Sequence, residues 1–468
     1  MGNTICCLPL PLLTHTALKN AKTGFWFVVF TTSLAFVVSQ LDVSIVNVAL
    51  PQIGRAFTAG ISTLQWIVDA YTIAFAVLML SAGGMSDLLG SKRLFQLGLL
   101  IFGIASVGCG IAWSPEVLIG FRALQGVGSA IMIPSSLSIL NNTFAHEPKL
   151  RARAVAYWTA GGGISIAAGP VLGGLLIHIS SWRWIFLVNI PICLAGLLCS
   201  IYLMDSKKNE KRGFDIPGQF IWMLALTAFI AAIIEWHNLG AQSPFIYGGI
   251  IFSAVMLGLF LWRESVAESP ILPLDLFKST NFNVFIGLGM AFNGAYYGTV
   301  FVLSLYLQEV LHYSVIEAGM AFLPLTGGFL IANITSSFIM DKYGIRVPIL
   351  LGLLVFSIGF ASLLLAKQGT PYWQLLLPFF AMPLGMGVAV PAMTTGTLAT
   401  VKTNRSGIAS AVLNTTRQAA GAVGVAVFGT MASGGPDHII KAITEIAIIA
   451  AIFMLFYAGV VFKYLRDL

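Results

Sequence analysis

Charge is scarce in this sequence. Lys and Arg together number 25 and Asp and Glu 18 among 468 residues, or 9%, where a soluble globular chain carries about 25%. So few charges cannot cover the surface of a soluble protein of this length. A cytosolic enzyme, a nucleic-acid binder and a disordered chain are thereby excluded. Cysteine is sparse too: Cys6, Cys7, Cys109, Cys193 and Cys199 form no CxxC and no Cys/His cluster. Three of them lie in apolar runs, so neither a disulfide framework nor a metal site is indicated. The P-loop pattern GxxxxGKS/T is absent, as are GxSxG and HExxH. Nothing points to ATP hydrolysis or hydrolase chemistry, and neither enzyme activity nor a cofactor is expected.

Apolar residues, by contrast, make up 57% of the chain. Runs such as 185–203 and 446–462 do not alternate with polar residues, as the strands of an outer-membrane barrel must. Helices remain, because a segment in lipid has to satisfy its backbone polar groups internally. The expected fold class is all-α, a polytopic membrane protein. The N-terminal stretch has a short apolar patch, Ile5–Leu13, interrupted by Pro9 and Pro11. No basic region precedes it and no small-residue cleavage site follows, so a cleaved signal is not expected. Gly2 is followed by Cys6 rather than Ser or Thr at the position an acylation signal needs. Residues 1–23 read as a cytoplasmic tail.

Apolar windows predict helices at 24–48, 63–83, 94–113, 116–140, 153–177, 184–203, 217–235 and 245–262, then at 282–307, 315–338, 347–366, 372–397, 407–430 and 443–463. Most approach the ~20 residues that cross a bilayer core. Fourteen crossings put both termini on one side. With that side inside, only Arg55, Arg183, Lys367 and Lys441 of the Lys and Arg residues fall in outer loops, and Arg122 and Arg417 fall within windows. The rest lie on the inner side, a strong positive-inside bias. The expectation is a multi-pass protein of the cell membrane, inner or plasma, with both termini cytoplasmic.

The sequence also repeats. GGMSDLLGSKR (83–93) follows the second window and SFIMDKYGIRV (337–347) the tenth, so that Asp87 and Gly90 match Asp341 and Gly344. Duplicated helical halves are common in transporters, with the substrate path between them. The expected division is a tail at 1–23, a six-helix half at 24–204, linkers and a two-helix insert at 205–281, and a second six-helix half at 282–468.

Several motifs resemble those of one family. LDVSIVNVALP (41–51), GGMSDLLGSKR (83–93), RALQGVGSAIMIP (122–134), GPVLGG (169–174) and LNTTRQAAGAVGVAVFG (413–429) occur in the order found in the major facilitator superfamily. The branch they resemble is the fourteen-span drug:proton antiporters of the EmrB/QacA type, over about Gly24 to Leu468. The resemblance implies the major facilitator fold and alternating access. It also implies conformational roles for Gly83, Asp87, Gly90, Lys92 and Arg93 at the cytoplasmic turn. The same holds for Gly169, Pro170, Gly173 and Gly174 in the fifth window and for Arg417, for which an ion pair is expected. At the turn, Leu88 and Ser91 stand where the family usually has basic residues, so charge there rests on Lys92 and Arg93.

Four charges lie well inside windows: Asp42, Asp69, Arg122 and Arg417. Each costs about 2.5–3.5 kcal/mol at helix centre on insertion scales, which makes it a functional candidate. At 1.5 Å per residue Asp42 lies ~27 Å along an outward-running helix, and Asp69 and Arg122 each lie ~9 Å into inward-running ones. The three are therefore expected at similar depth, sharing one volume. Such a site suits proton coupling, since burial and a neighbouring cation act oppositely on a carboxyl. Asp42 is the first choice as proton carrier, the alternative being a structural Asp near Asn47 and Pro51. Asp69 could bind a proton or only attract cations. Arg122 could take part in proton movement or simply pair with Asp42.

Aromatic and amide groups complete the candidates. Asn47, Trp66, Tyr71, Asn293, Tyr296 and Tyr297 are the substrate-binding candidates, by cation–π contact or hydrogen bonding. Asn333 and Asn414 are further polar groups at membrane depth. The expected function is proton-coupled export of hydrophobic, cationic drugs or antiseptics. The expected partners are a small-molecule substrate, protons and the bilayer, with no nucleic acid, and the protein is expected to work as a monomer. Export of a natural metabolite, peptide or siderophore is the alternative on the same fold. A non-transporting sensor is the alternative from another class.

Overall fold

The computed structural model describes residues 21–204, 215–240, 242–267, 270–401 and 405–465. The tail at 1–20 and most of the charged linker after residue 204 lie outside the described residues. So do the side chains of Asp87 and Asn333 and the surroundings of Gly83. Among the described residues the chain forms sixteen α-helices and no strand. The first group is α1 (Ala21–Phe57), α2 (Ile61–Leu89), α3 (Ser91–Gly110), α4 (Pro115–Thr143), α5 (Pro148–Ile179), α6 (Trp184–Leu187) and α7 (Asn189–Ser200). Then come α8 (Ile216–Leu239) and α9 (Pro244–Val266). The last group is α10 (Thr280–Leu305), α11 (Val315–Ala321), α12 (Leu323–Tyr343), α13 (Arg346–Ser362), α14 (Tyr372–Ala399), α15 (Ser406–Met431) and α16 (Pro436–Tyr464).

Among the described residues ten helices are long and apolar enough to cross a membrane, or eleven if bent α5 counts as one span. Three expected windows fall short of that standard. Trp184–Ser200 and Val315–Phe329 are shorter apolar helices, and α15, which carries Asn414, Arg417 and Gln418, is not among the ten.

Helix ends follow local chemistry. Ser114 accepts from the Val117 amide with Pro115 at the first helical position, and Ser314 and Glu317 form a reciprocal capping box at α11. Within α5 the axis turns by 42° between Ile166 and Ala168. Pro170 explains this bend, because it has no amide to donate to the carbonyl four residues back. α10 runs into a π turn, Tyr306–Val310, and the chain leaves it through His312 at φ 56°.

Packing sorts the helices into neighbours. α1 lies on α5, and α4 on both α2 and α3, while α10 lies on α15 and α14 on both α12 and α13. The most extensive contacts that join these groups are α2 with α15 and α5 with α11, and α5 also meets α12 and α1 meets α10. The α8–α9 pair leans on α2 and α15 through α8. Polar side chains fasten it there. The Gln219 amide donates to the Val77 carbonyl at 2.6 Å, and the Thr430 hydroxyl donates to the Ile233 carbonyl at 3.0 Å. α9 keeps Phe245, Tyr247, Ile251 and Trp262 exposed, as a helix facing lipid should.

Candidate functional site

The buried charges come first. Asp42 in α1 is 0% exposed and Arg122 in α4 is 1% exposed, and the two form an ion pair. Each makes further bonds. The second carboxylate oxygen of Asp42 accepts from Asn189 at 3.0 Å and from Gln125 at 3.2 Å. Arg122 also donates to Gln125 at 2.9 Å and to the Ile67 carbonyl at 3.1 Å. Its guanidinium stands 4.6 Å from the centre of the Tyr71 ring. Gln125 and Asn189 are site residues that the sequence reading missed. An amide inside an apolar window was the available signal, since such groups seek interhelical partners.

Asp69 does not join this network, contrary to the expectation of one shared volume. Arg122 reaches the carbonyl of Ile67, and residues two apart on a helix face opposite ways. Asp69 instead shares a face with Gln65 and Ile73. Gln65 donates to the carbonyls of Val425 and Ala426 at 3.1 and 2.6 Å, and Ile73 clusters with Ala419 and Ala422. The Asp69 carboxylate is therefore turned to the α2–α15 contact. It is 0% exposed, and among the described residues neither of its oxygens has a hydrogen-bond partner.

A small cavity of about 40 Å³ lies between the two groups of helices. α1 contributes Val43, Ser44, Asn47 and Val48, and α10 contributes Tyr296, Tyr297 and Val300. Pro170 of α5 and Phe322 and Phe329 of the α11–α12 segment complete the wall. Three expected substrate-binding residues, Asn47, Tyr296 and Tyr297, thus line it. The other three do not. Trp66 donates to Glu235 of α8 at 2.9 Å, and Tyr71 is held between Ser39 and Ser129. The Asn293 amide donates back to the Gly289 carbonyl at 2.8 Å. The lining residues include no acidic side chain.

Beyond the cavity, toward the end where α1 finishes, the groups are closed on each other. Ser304 bonds the Asn47 carbonyl, and Gln308 donates to the Val48 carbonyl at 3.0 Å. Arg55 pairs with Glu309 at 3.0 Å. Glycine makes the closure tight. A Cβ at Gly319 would sit 2.5 Å from the Pro170 carbonyl oxygen, and one at Gly174 2.9 Å from that of Val315. Gly169 and Gly173 serve another contact, against Ser44 and Ile45 of α1, at 1.8 and 2.8 Å for an added Cβ. The glycine motif of α5 is thus divided between two neighbours.

At the repeated turn, Gly90 has φ 94° and Gly344 has φ 74°, a conformation open to glycine and strained for other residues. Lys92 donates to the carbonyls of Ile201 and Leu203, both at 2.7 Å, so it neutralises the negative end of α7. Arg93 is exposed. The expected ion pair of Arg417 is absent among the described residues, and its Nε is buried without an acceptor.

The matched family model is that of the Major Facilitator Superfamily, over residues 32–425. The chain is 34% identical to a methylenomycin A resistance protein of Bacillus subtilis, over 88% of each chain. It is 32% identical to the multidrug resistance protein Stp of Mycobacterium tuberculosis, over 86% of this chain and 74% of that protein. In fold it resembles a crystal structure of the peptide transporter POT in complex with sulfate, with a TM-score of 0.70 at 14% identity, over 94% of this chain and 95% of that one. A bacterial homologue of the lysosomal transporter Spinster, inward-facing and unoccupied, gives 0.63 at 17% identity, over 94% of this chain and 96% of that one. With the family model, these relatives and the helical architecture in agreement, the chain belongs to the Major Facilitator Superfamily.

Proposed function

We propose that this protein is a proton-coupled exporter of hydrophobic drugs and antibiotics, with fourteen crossings arranged as two six-helix halves and an α8–α9 insert. Both termini lie in the cytoplasm, so the closed end is the outer one and the cavity opens inward. Relatives named for resistance to methylenomycin A and for tetracenomycin C resistance and export support a drug or natural antibiotic as cargo.

The observation that carries the coupling is the contrast between the two carboxylates. Asp42 is matched by Arg122, Gln125 and Asn189. Asp69 is enclosed with no partner among the described residues, and an unpaired carboxylate is tolerated in such a place only with a proton on it. Asp69 therefore holds the proton in this conformation, and Asp42 ionises or protonates as its network rearranges. Each charge moved through the field supplies about 2.3 kcal/mol per 100 mV. Hydrophobic cations are the cargo expected to compete with protons, meeting Asp69 once α2 and α15 separate. The test is purified protein in liposomes under an imposed pH gradient, with ethidium-like cations as the cargo. Counterflow that follows the gradient supports the reading, and none with any cargo rejects it.

A further inference from the structure

Arg417 is the second arginine at membrane depth, and it contrasts with the first. Arg122 is paired with Asp42 and bonded to Gln125 and a backbone carbonyl. Arg417, ~15 Å along its helix at 1.5 Å per residue, has no ion pair and no hydrogen bond among the described residues. Its Nε is buried without an acceptor, while the side chain as a whole stays partly open. A guanidinium left unpaired in a low-dielectric interior is costly, and pairing with an anion relieves that cost.

The surroundings place this charge beside the cavity. The stem of Arg417 lies over Gly289 of α10, where a Cβ would come within 3.0 Å of Cγ and 3.4 Å of Cδ. Gly289, Asn293 and Tyr297 follow one another at intervals of four and so share one face of α10. Tyr297 lines the cavity, and its ring packs on Gly421, one turn after Arg417 on α15, at 3.2 Å from an added Cβ. Asn414, one turn before Arg417, is turned back to the Ser410 carbonyl at 3.0 Å and leaves the guanidinium free. Among the described residues no acidic side chain lines the cavity to compete for it.

We propose that the Arg417 guanidinium, on the side of the cavity that Tyr297 lines, is a subsite for the carboxylate of an amphipathic weak acid whose apolar body lies in the cavity. The apolar wall of Val300, Phe322 and Phe329 takes the body, and the planar guanidinium takes the carboxylate through two parallel hydrogen bonds. The subsite rests on the exporter reading and extends its cargo from cations to carboxylic acids.

The test compares 4-(1-naphthyl)butyrate with its uncharged amide by equilibrium dialysis against the purified full-length chain. The acid binds at least about tenfold more tightly than the amide, as expected for a desolvated charge-assisted contact. Arg417→Gln removes that preference and leaves amide affinity unchanged, while Arg417→Lys keeps part of it. Gly289→Val, which displaces the arginine stem from a different helix, also removes it, so the outcome does not depend on one variant folding. Equal affinity of acid and amide for the unaltered chain overturns the subsite, as does a preference that survives both Arg417→Gln and Gly289→Val. Liposome transport separates the two readings: an intact acid preference without gradient-driven transport of any probe rejects the exporter and keeps the subsite. Transport without acid preference rejects the subsite alone.

Discussion

Asp42 and Arg122 join α1 to α4 through an ion pair that is almost entirely closed to solvent. The amides of Gln125 and Asn189 hold the carboxylate from the other side. The pair is thus a packing device as well as a reservoir of charge, and its two functions can be separated by mutation.

Asp42→Asn leaves the Arg122 charge buried and unpaired, a loss of about 3–5 kcal/mol. A large fall in thermal stability in detergent is expected, together with loss of uphill, pH-driven efflux. Adding Arg122→Gln should restore much of the stability and none of the uphill transport. If the double variant pumps uphill, Asp42 has no part in coupling.

Asp69→Asn removes no bond, since the carboxylate has no partner to lose. Its melting temperature should equal or exceed that of the unaltered chain. Proton release on drug binding near neutral pH, read with a pH dye, should drop by about one proton per carrier, because an amide carries no exchangeable acid proton. Unchanged release would move the proton site elsewhere.

The Arg55–Glu309 pair is solvent-exposed, at 59% and 39%, so Glu309→Gln should cost at most about 1 kcal/mol. Gln308→Ala and Ser304→Ala cut bonds to the α1 backbone that are buried and should favour the outward-open form more strongly. Thiol labelling of a cysteine placed at Val48 reads the difference. Labelling that stays at the level of the unaltered chain in all three variants would mean that these bonds do not hold the end closed.

Gly319→Ala puts a methyl 2.5 Å from the Pro170 carbonyl oxygen, closer than side-chain carbons approach a backbone. Closure of α5 on α11 should fail, with efflux lost while the protein still inserts. Gly327→Ala, where an added Cβ meets nothing within 4 Å, is the matched control and should transport normally.

A reporter joined after Lys208 or at the C-terminus should read cytoplasmic, and one at Gly240 external. A cytoplasmic signal at Gly240 would remove the proposed fourteen-crossing count and reverse the assignment of the closed end.

Much of the site was legible residue by residue. Intramembrane charge is expensive, so Asp42, Asp69, Arg122 and Arg417 stood out from an apolar background before any helix was placed. Depth along a helix is also nearly a matter of counting, which put Asp42 and Arg122 at one level. What counting could not supply was direction around the helix axis. That is why Asp69 was grouped with Arg122 although it faces α15, and why Tyr71 and Trp66 were taken for cavity residues. Gln125 and Asn189 were overlooked because a neutral amide among apolar residues costs less than a charge and signals less.

Composition and hydropathy determined that the chain is helical and membrane-bound, because lipid leaves the backbone no other way to satisfy its polar groups. The ordered motifs identified the family, and the repeated turn carried its glycines with positive φ into both copies. Only the tertiary structure decided which charges meet. Pairing depends on the rotation of each helix about its own axis, on the bend of α5 at Pro170 and on which neighbour each glycine admits. These are set by side-chain packing between segments far apart in the chain. Among the described residues the same packing left both Asp69 oxygens and the Arg417 Nε without partners, and on those two residues the proposed proton and anion sites rest.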